Sequence, residues 1–87
     1  MNTYMVAYAS LFNNEIFNLI VKADNIKNAA LQCINHATPD EYHNDNIEWF
    51  NSIPDDVTLN ALQDEIFNCD GLITVKEICP MDTELLK

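Results

Sequence analysis

The stretch Glu15-Ile-Phe-Asn-Leu-Ile-Val-Lys22-Ala-Asp-Asn-Ile26-Lys-Asn-Ala-Ala-Leu-Gln-Cys-Ile-Asn-His-Ala37 changes period half-way along. Its first part alternates. Phe17, Leu19 and Val21 fall on one face of an extended chain and Ile16, Asn18, Ile20 and Lys22 on the other, and the first set reads as the core face. From Ile26 onward the apolar residues Ile26, Ala29, Ala30, Cys33, Ile34 and Ala37 recur at i, i+3, i+4, i+7, i+8 and i+11, the spacing of one helix face. A strand followed directly by an amphipathic helix places the chain in the α+β class.

Working outward towards the N-terminus, residues 4–10 (Tyr-Met-Val-Ala-Tyr-Ala-Ser) are rich in aromatic and β-branched side chains and lead into Asn13-Asn14. Asparagine tolerates the left-handed backbone of short turns, so residues 4–10 and 15–22 form a β-hairpin. Asp24 stands where a helix N-cap is needed. The helix has to stop by Thr38, because Pro39 disfavours helical geometry in the residue before it.

Thr38-Pro39-Asp40-Glu41 reads as a new helix start, with a threonine cap, proline in the first turn and a glutamate three residues after the cap. Asn44-Asp45-Asn46 then argues against a long continuation, since these side chains compete for backbone hydrogen bonds. Trp49 is expected to reach the core. Ser52-Ile53-Pro54-Asp55-Asp56 is a further helix start, and Leu59, Leu62 and Ile66 supply its apolar stripe, with Phe67 at the edge. Gly71 fits the left-handed position that ends such a helix. Residues 72–78 read as a third strand closed by Cys79-Pro80, and Met81–Lys87 as a tail of unassigned structure. The expectation is one domain over residues 1–87, in the order β-β-α-α-β, with a small antiparallel sheet of about three strands and helices packed on one face.

Composition narrows function more than any motif does. The 87 residues hold 14 acids against four lysines and no arginine, a formal charge of −10. From Asn28 through Val75 there is no lysine or arginine, while Asp40, Glu41, Asp45, Glu48, Asp55, Asp56, Asp64, Glu65 and Asp70 all lie in that span. Such a field repels nucleic acid and anionic membranes and favours basic proteins. No apolar run approaches the ~20 residues of a membrane span. With no basic leader and an odd number of cysteines in no paired close spacing, a cytoplasmic location with reduced thiols is expected.

Catalytic chemistry finds no foothold. A single glycine cannot build a phosphate-cradling loop, and Ser10 and Ser52 lie in no nucleophile elbow. The adjacent pairs Asp55-Asp56 and Asp64-Glu65 point in different directions on a helix. Cys33, His36, Asp40 and His43 carry zinc-binding atoms, but Cys33 belongs to the core stripe and a proline break separates the first pair from His43. Neither metal nor cofactor is assigned.

The acidic band carries a mechanism through charge alone. Carboxylates spread over two helices can imitate the phosphate row that a lysine- and arginine-lined groove reads; the same acids also suit a merely solubilising face. The Tyr4–Val21 hairpin, the Ala23-Asp24-Asn25 entry to an alanine-bearing helix, Trp49-Phe50 and the Leu72–Ile78 strand together resemble, in layout, small acidic bacteriophage accessory proteins of the anti-CRISPR and anti-defence type. Twelve asparagines beside no arginine suit the A/T-rich coding of a low-GC bacterium or its phages. The resemblance implies a non-enzymatic inhibitor, acting in the host cytoplasm if phage-encoded, that binds the basic surface of a nucleic-acid-binding protein. Asp40, Glu41, Asp45, Glu48, Asp55 and Asp56 would supply charge, and Tyr42, Trp49 or Phe50 an apolar anchor. The alternative is a structural or homo-oligomeric module, possible as a homodimer because three strands leave two open edges and Ile16 and Ile20 face away from the helices.

Overall fold

A computed structural model describes residues 1–78. The expected strand stop at Cys79-Pro80 and the tail Met81–Lys87 lie outside that range. The chain is α+β. Strand β1 (Asn2–Ser10) and strand β2 (Glu15–Ala23) form the hairpin, followed by helices α1 (Ile26–Ala37), α2 (His43–Asn51) and α3 (Leu59–Phe67) and strand β3 (Gly71–Ile78). All neighbours are antiparallel in the order β2-β1-β3, so the last strand returns beside the first.

The hairpin loop spans residues 11–14, and Asn14 takes the left-handed conformation at φ 57° that the asparagine pair foreshadows. Phe17, Leu19 and Val21 face the core as their alternation requires, while Ile16 and Ile20 are exposed on the opposite face. The centre is built from Tyr4 and Val6 of β1, Ile73 and Val75 of β3, Ala29, Ala30, Cys33 and Ile34 of α1, Phe50 of α2, and Leu62 and Ile66 of α3. The paired alanines of α1 let that helix lie close to the sheet, and Phe50 and Leu62 fill the space beside it.

Three helix boundaries depart from the expected ones. The N-cap of α1 is Asn25, whose Oδ1 accepts from the Asn28 backbone N–H at 2.9 Å, and Asp24 is exposed one residue earlier. Thr38 caps nothing. Its hydroxyl turns back to the Ile34 carbonyl at 3.0 Å, and a single 3-10 turn over Asp40–Tyr42 leads into α2 without a side-chain cap. The third start lies at Thr58, whose Oγ1 accepts from the Ala61 N–H at 3.2 Å, so Asp55 and Asp56 precede α3 instead of opening it.

The Asn44-Asp45-Asn46 run is helical. Asn46 Nδ2 donates across to Asn35 Oδ1 and Thr38 Oγ1, both at 3.0 Å, so the side chain bonds α1 and leaves its own backbone ladder alone. At the end of α3 the left-handed residue is Asp70, φ 61°, and Gly71 already belongs to β3 with no positive φ. Glycine is required there by crowding: a Cβ would stand 2.8 Å from Ile66 Cγ2 and 2.9 Å from Tyr8 Cε1.

Candidate functional site

The helices cover one face of the sheet, and the acids gather on that side. Asp40 and Glu41 are exposed in the 3-10 turn, Asp45 and Glu48 are exposed one turn apart along α2, and Asp55 and Asp56 are exposed in the loop before α3. Glu41, Asp45 and Glu48 follow at i, i+4 and i+7, so they run as a stripe along this segment. Among the described residues the helical layer contains one lysine, Lys27, and it is buried at 8% exposure.

Lys27 Nζ donates to the Ile53 carbonyl at 3.1 Å and to Asp55 Oδ1 at 2.5 Å. The ammonium is thereby paired where α1 meets the loop between α2 and α3, as a buried charge must be. One consequence is that Asp55 is neutralised locally, while Asp40, Glu41, Asp45, Glu48 and Asp56 have no lysine partner among the described residues. His43 is the cation nearest to them when protonated. Its Nε2 lies 3.0 Å from the Thr38 carbonyl and 3.7 Å from Asp40 Oδ1, so that nitrogen carries the hydrogen and ties the start of α2 to the end of α1.

Of the three aromatic anchors expected from the sequence, one stays available. Tyr42 is 50% exposed beside Glu41, with Ile47 at 42% on α2. Phe50 is buried in the core. Trp49 is partly buried, stacked edge-on against Phe50 at 4.9 Å between ring centroids, and its Nε1 donates to Glu65 Oε1 at 2.9 Å, which locks α2 to α3.

The cysteine and histidine set does not converge. Cys33 is enclosed between α1 and the sheet, His36 is exposed on the edge of Phe17, and His43 is bonded to backbone; among the described residues no three His, Cys, Asp or Glu side chains gather as a metal would need. Burial pushes the Cys33 thiol up to about 11. Partial burial, aided by Glu65 and Asp70, also raises Cys69. Both thiols are held away from the reactive thiolate.

Comparison with protein-family models, curated proteins and solved structures found no match.

Two features escaped sequence reasoning. Lys27 lies at i−3 from Ala30 and i−7 from Ile34, a placement that puts it on the buried stripe, but its partner 28 positions later leaves no local signal. The second is the segregation of charge. The sheet face opposite the described helices carries positions 3, 5, 7 and 9 of β1, 16, 18, 20 and 22 of β2, and 72, 74, 76 and 78 of β3, with no carboxylate among them. Among the described residues, no helix is long and apolar enough to cross a membrane.

Proposed function

We propose that this chain is a non-enzymatic protein-binding module whose acidic helical side engages the basic nucleic-acid-binding surface of another protein, of the bacterial defence or transcription kind. The observation that carries the reading is the absence of any free lysine or arginine from the described helical layer: the exposed carboxylates of Asp40, Glu41, Asp45, Glu48, Asp56 and Asp64 share it with a lysine already bonded to Asp55. A face of this kind attracts a basic groove and repels nucleic acid itself. Charge supplies steering and orientation, and Tyr42 and Ile47, exposed among the acids, supply the apolar contact that affinity needs. The layout-level resemblance to phage anti-defence proteins supports the class of target. The non-enzymatic part is supported by a His43 ring bonded to backbone and by thiols held protonated.

The test is competition. Immobilised protein captures its partner from a low-GC bacterial lysate at low salt, and duplex DNA is then used to elute. A partner displaced by DNA and by ~0.5 M salt, and no longer captured when Asp40, Glu41, Asp45 and Glu48 are all replaced by lysine in a chain that still folds, supports docking through the acidic side. Capture that survives those four reversals sinks it.

A further inference from the structure

We propose that Gln32 and Gln63 close the two outer edges of the sheet against strand addition, each by occupying a main-chain carbonyl that a fourth strand would need. The direction of those carbonyls follows from the register. β1 lies between β2 and β3, and in an antiparallel pair the residues that exchange hydrogen bonds alternate with those that do not. The Leu11 N–H donates to the Asp70 carbonyl at 2.8 Å, which continues the β1–β3 register one step past Ser10 and Gly71. Counting back from that bond, Ala9, Ala7, Met5 and Thr3 bond β3, so the even-numbered residues of β1 turn to β2. The main chain left pointing outward is then that of Ile16, Asn18, Ile20 and Lys22 on β2, and that of Ile73, Val75 and Glu77 on β3.

Both glutamines bond a carbonyl of that outward set. Gln32 Nε2, on α1, donates to the Lys22 carbonyl at 2.8 Å, and Gln63 Nε2, on α3, donates to the Ile73 carbonyl at 3.0 Å. Each helix thus lends one long polar side chain to the edge it reaches. Folding alone does not call for either bond. Gln32 is exposed and Gln63 half-buried, so their amides are open to water, and water satisfies a carbonyl at a bare edge as well. The distinctive effect of the two contacts is on what else can bind there.

An unpaired edge invites pairing along its uninterrupted length, and short edges and lysines are the usual means of blunting it. β2 has nine residues and β3 eight. With the Lys22 carbonyl taken, the outward groups of β2 run only from Ile16 to Ile20, and with the Ile73 carbonyl taken, those of β3 run only from Val75 to Glu77. Both remainders are no longer than the ~5–6 residues of an ordinary strand. A longer strand has first to displace a glutamine amide. Lys22 and Lys76, two of the four lysines in the chain, stand one on each edge strand and add charge to the same obstacle.

The test uses the full chain in ~0.5 M NaCl, where repulsion between chains of charge −10 is screened. Sedimentation equilibrium up to about 500 µM is read together with hydrogen exchange at the outward amides of Asn18, Ile20, Val75 and Glu77. In the unsubstituted chain these amides are expected to gain no protection with concentration. Gln32→Ala or Gln63→Ala alone should raise the association constant at least ~10-fold, the worth of one hydrogen bond no longer displaced. Each should stop at a two-fold dimer, because one opened edge pairs with its own copy and closes, whereas the double variant opens both edges and should grow beyond the dimer. Protection should rise on β2 in the first variant, on β3 in the second and on both in the third. Alanine is the better helix former, so folding is not at stake. Asn18→Pro, which removes an outward N–H at an exposed position, should return the Gln32→Ala variant to monomer; if that proline unfolds the chain, the pattern of amide protection decides. A double variant that stays monomeric overturns the proposal. So does association that leaves the four amides unprotected, which would be contact through a face, and so does a Glu77 amide already protected at every dilution, since another strand would then cover that edge.

Discussion

Gly71 and Asp70 exchange the roles their residue types suggest, and the exchange can be measured. Gly71 occupies an ordinary strand conformation and is glycine because Ile66 and Tyr8 leave no room for a methyl group, whereas Asp70 bears the left-handed backbone. Gly71→Ala is therefore expected to cost about 1–3 kcal/mol through overpacking, and Asp70→Gly to leave stability unchanged or improve it by up to ~1 kcal/mol, since glycine enters that region at no steric cost. Urea unfolding of the two variants separates them; equal losses would mean that conformation and not crowding governs both sites. Cys33 gives a pH signature. Its thiol is raised from 9.0 to about 11 by burial. Above pH 9 the unfolded chain releases this proton while the folded chain keeps it, so stability is fully present below 9 and falls with rising pH, by about 1.4 kcal/mol per unit, until about 11. Cys33→Ala, although less stable at neutral pH, should lose that part of the alkaline slope; an unchanged slope would show that the thiol does not contribute.

At the scale of elements, each helix is positioned by a polar contact that its own sequence only half announces. The period switch after β2, the stripe of α1 and the Leu59-Leu62-Ile66 stripe were all legible because burial repeats with the geometry of the element. The starts were not, because neighbouring candidates compete for one cap. Asp24 and Asn25 both qualify chemically, and the one bonded to the Asn28 N–H wins. Likewise Pro54-Asp55-Asp56 has the composition of a helix start, but Asp55 is drawn to Lys27 across the fold and α3 begins at Thr58 instead. Asn25→Ala and Thr58→Ala should each cost about 1 kcal/mol and Asp24→Ala much less, by thermal or urea denaturation. The candidate docking residues divide by the same logic. Asp55→Ala leaves a buried ammonium with only the Ile53 carbonyl and is expected to lower stability by about 1–2 kcal/mol, while Asp56→Ala is expected to be neutral. Similar effects from the two would place the Lys27 charge in water rather than in the contact seen here. Sequence alone identified these acids by composition and could not sort them, since sorting depends on a partner 28 residues away.

For the whole molecule the consequence of charge segregation is self-repulsion. Ten net negative charges sit on 87 residues, and the described helical layer has no free lysine or arginine to offset its carboxylates. Folding brings those carboxylates together on one side, whereas unfolding disperses them, so the repulsion opposes the native state. Added salt shortens its reach: between about 0.02 and 0.2 M NaCl the Debye length falls from ~20 to ~7 Å, comparable with distances between exposed groups on neighbouring turns. Stability should therefore rise by about 1 kcal/mol over that range, the reverse of what exposed ion pairs would produce. Replacing Asp40, Glu41, Asp45 and Glu48 with their amides should raise stability at low salt and flatten the salt dependence, while sparing the core and the Lys27 contact. If the quadruple variant keeps the full salt response, repulsion is spread over the entire chain and the acidic side is not its focus. If stability instead falls with salt, the Lys27–Asp55 contact outweighs the repulsion, and the helical layer would be better described as held together by charge than strained by it.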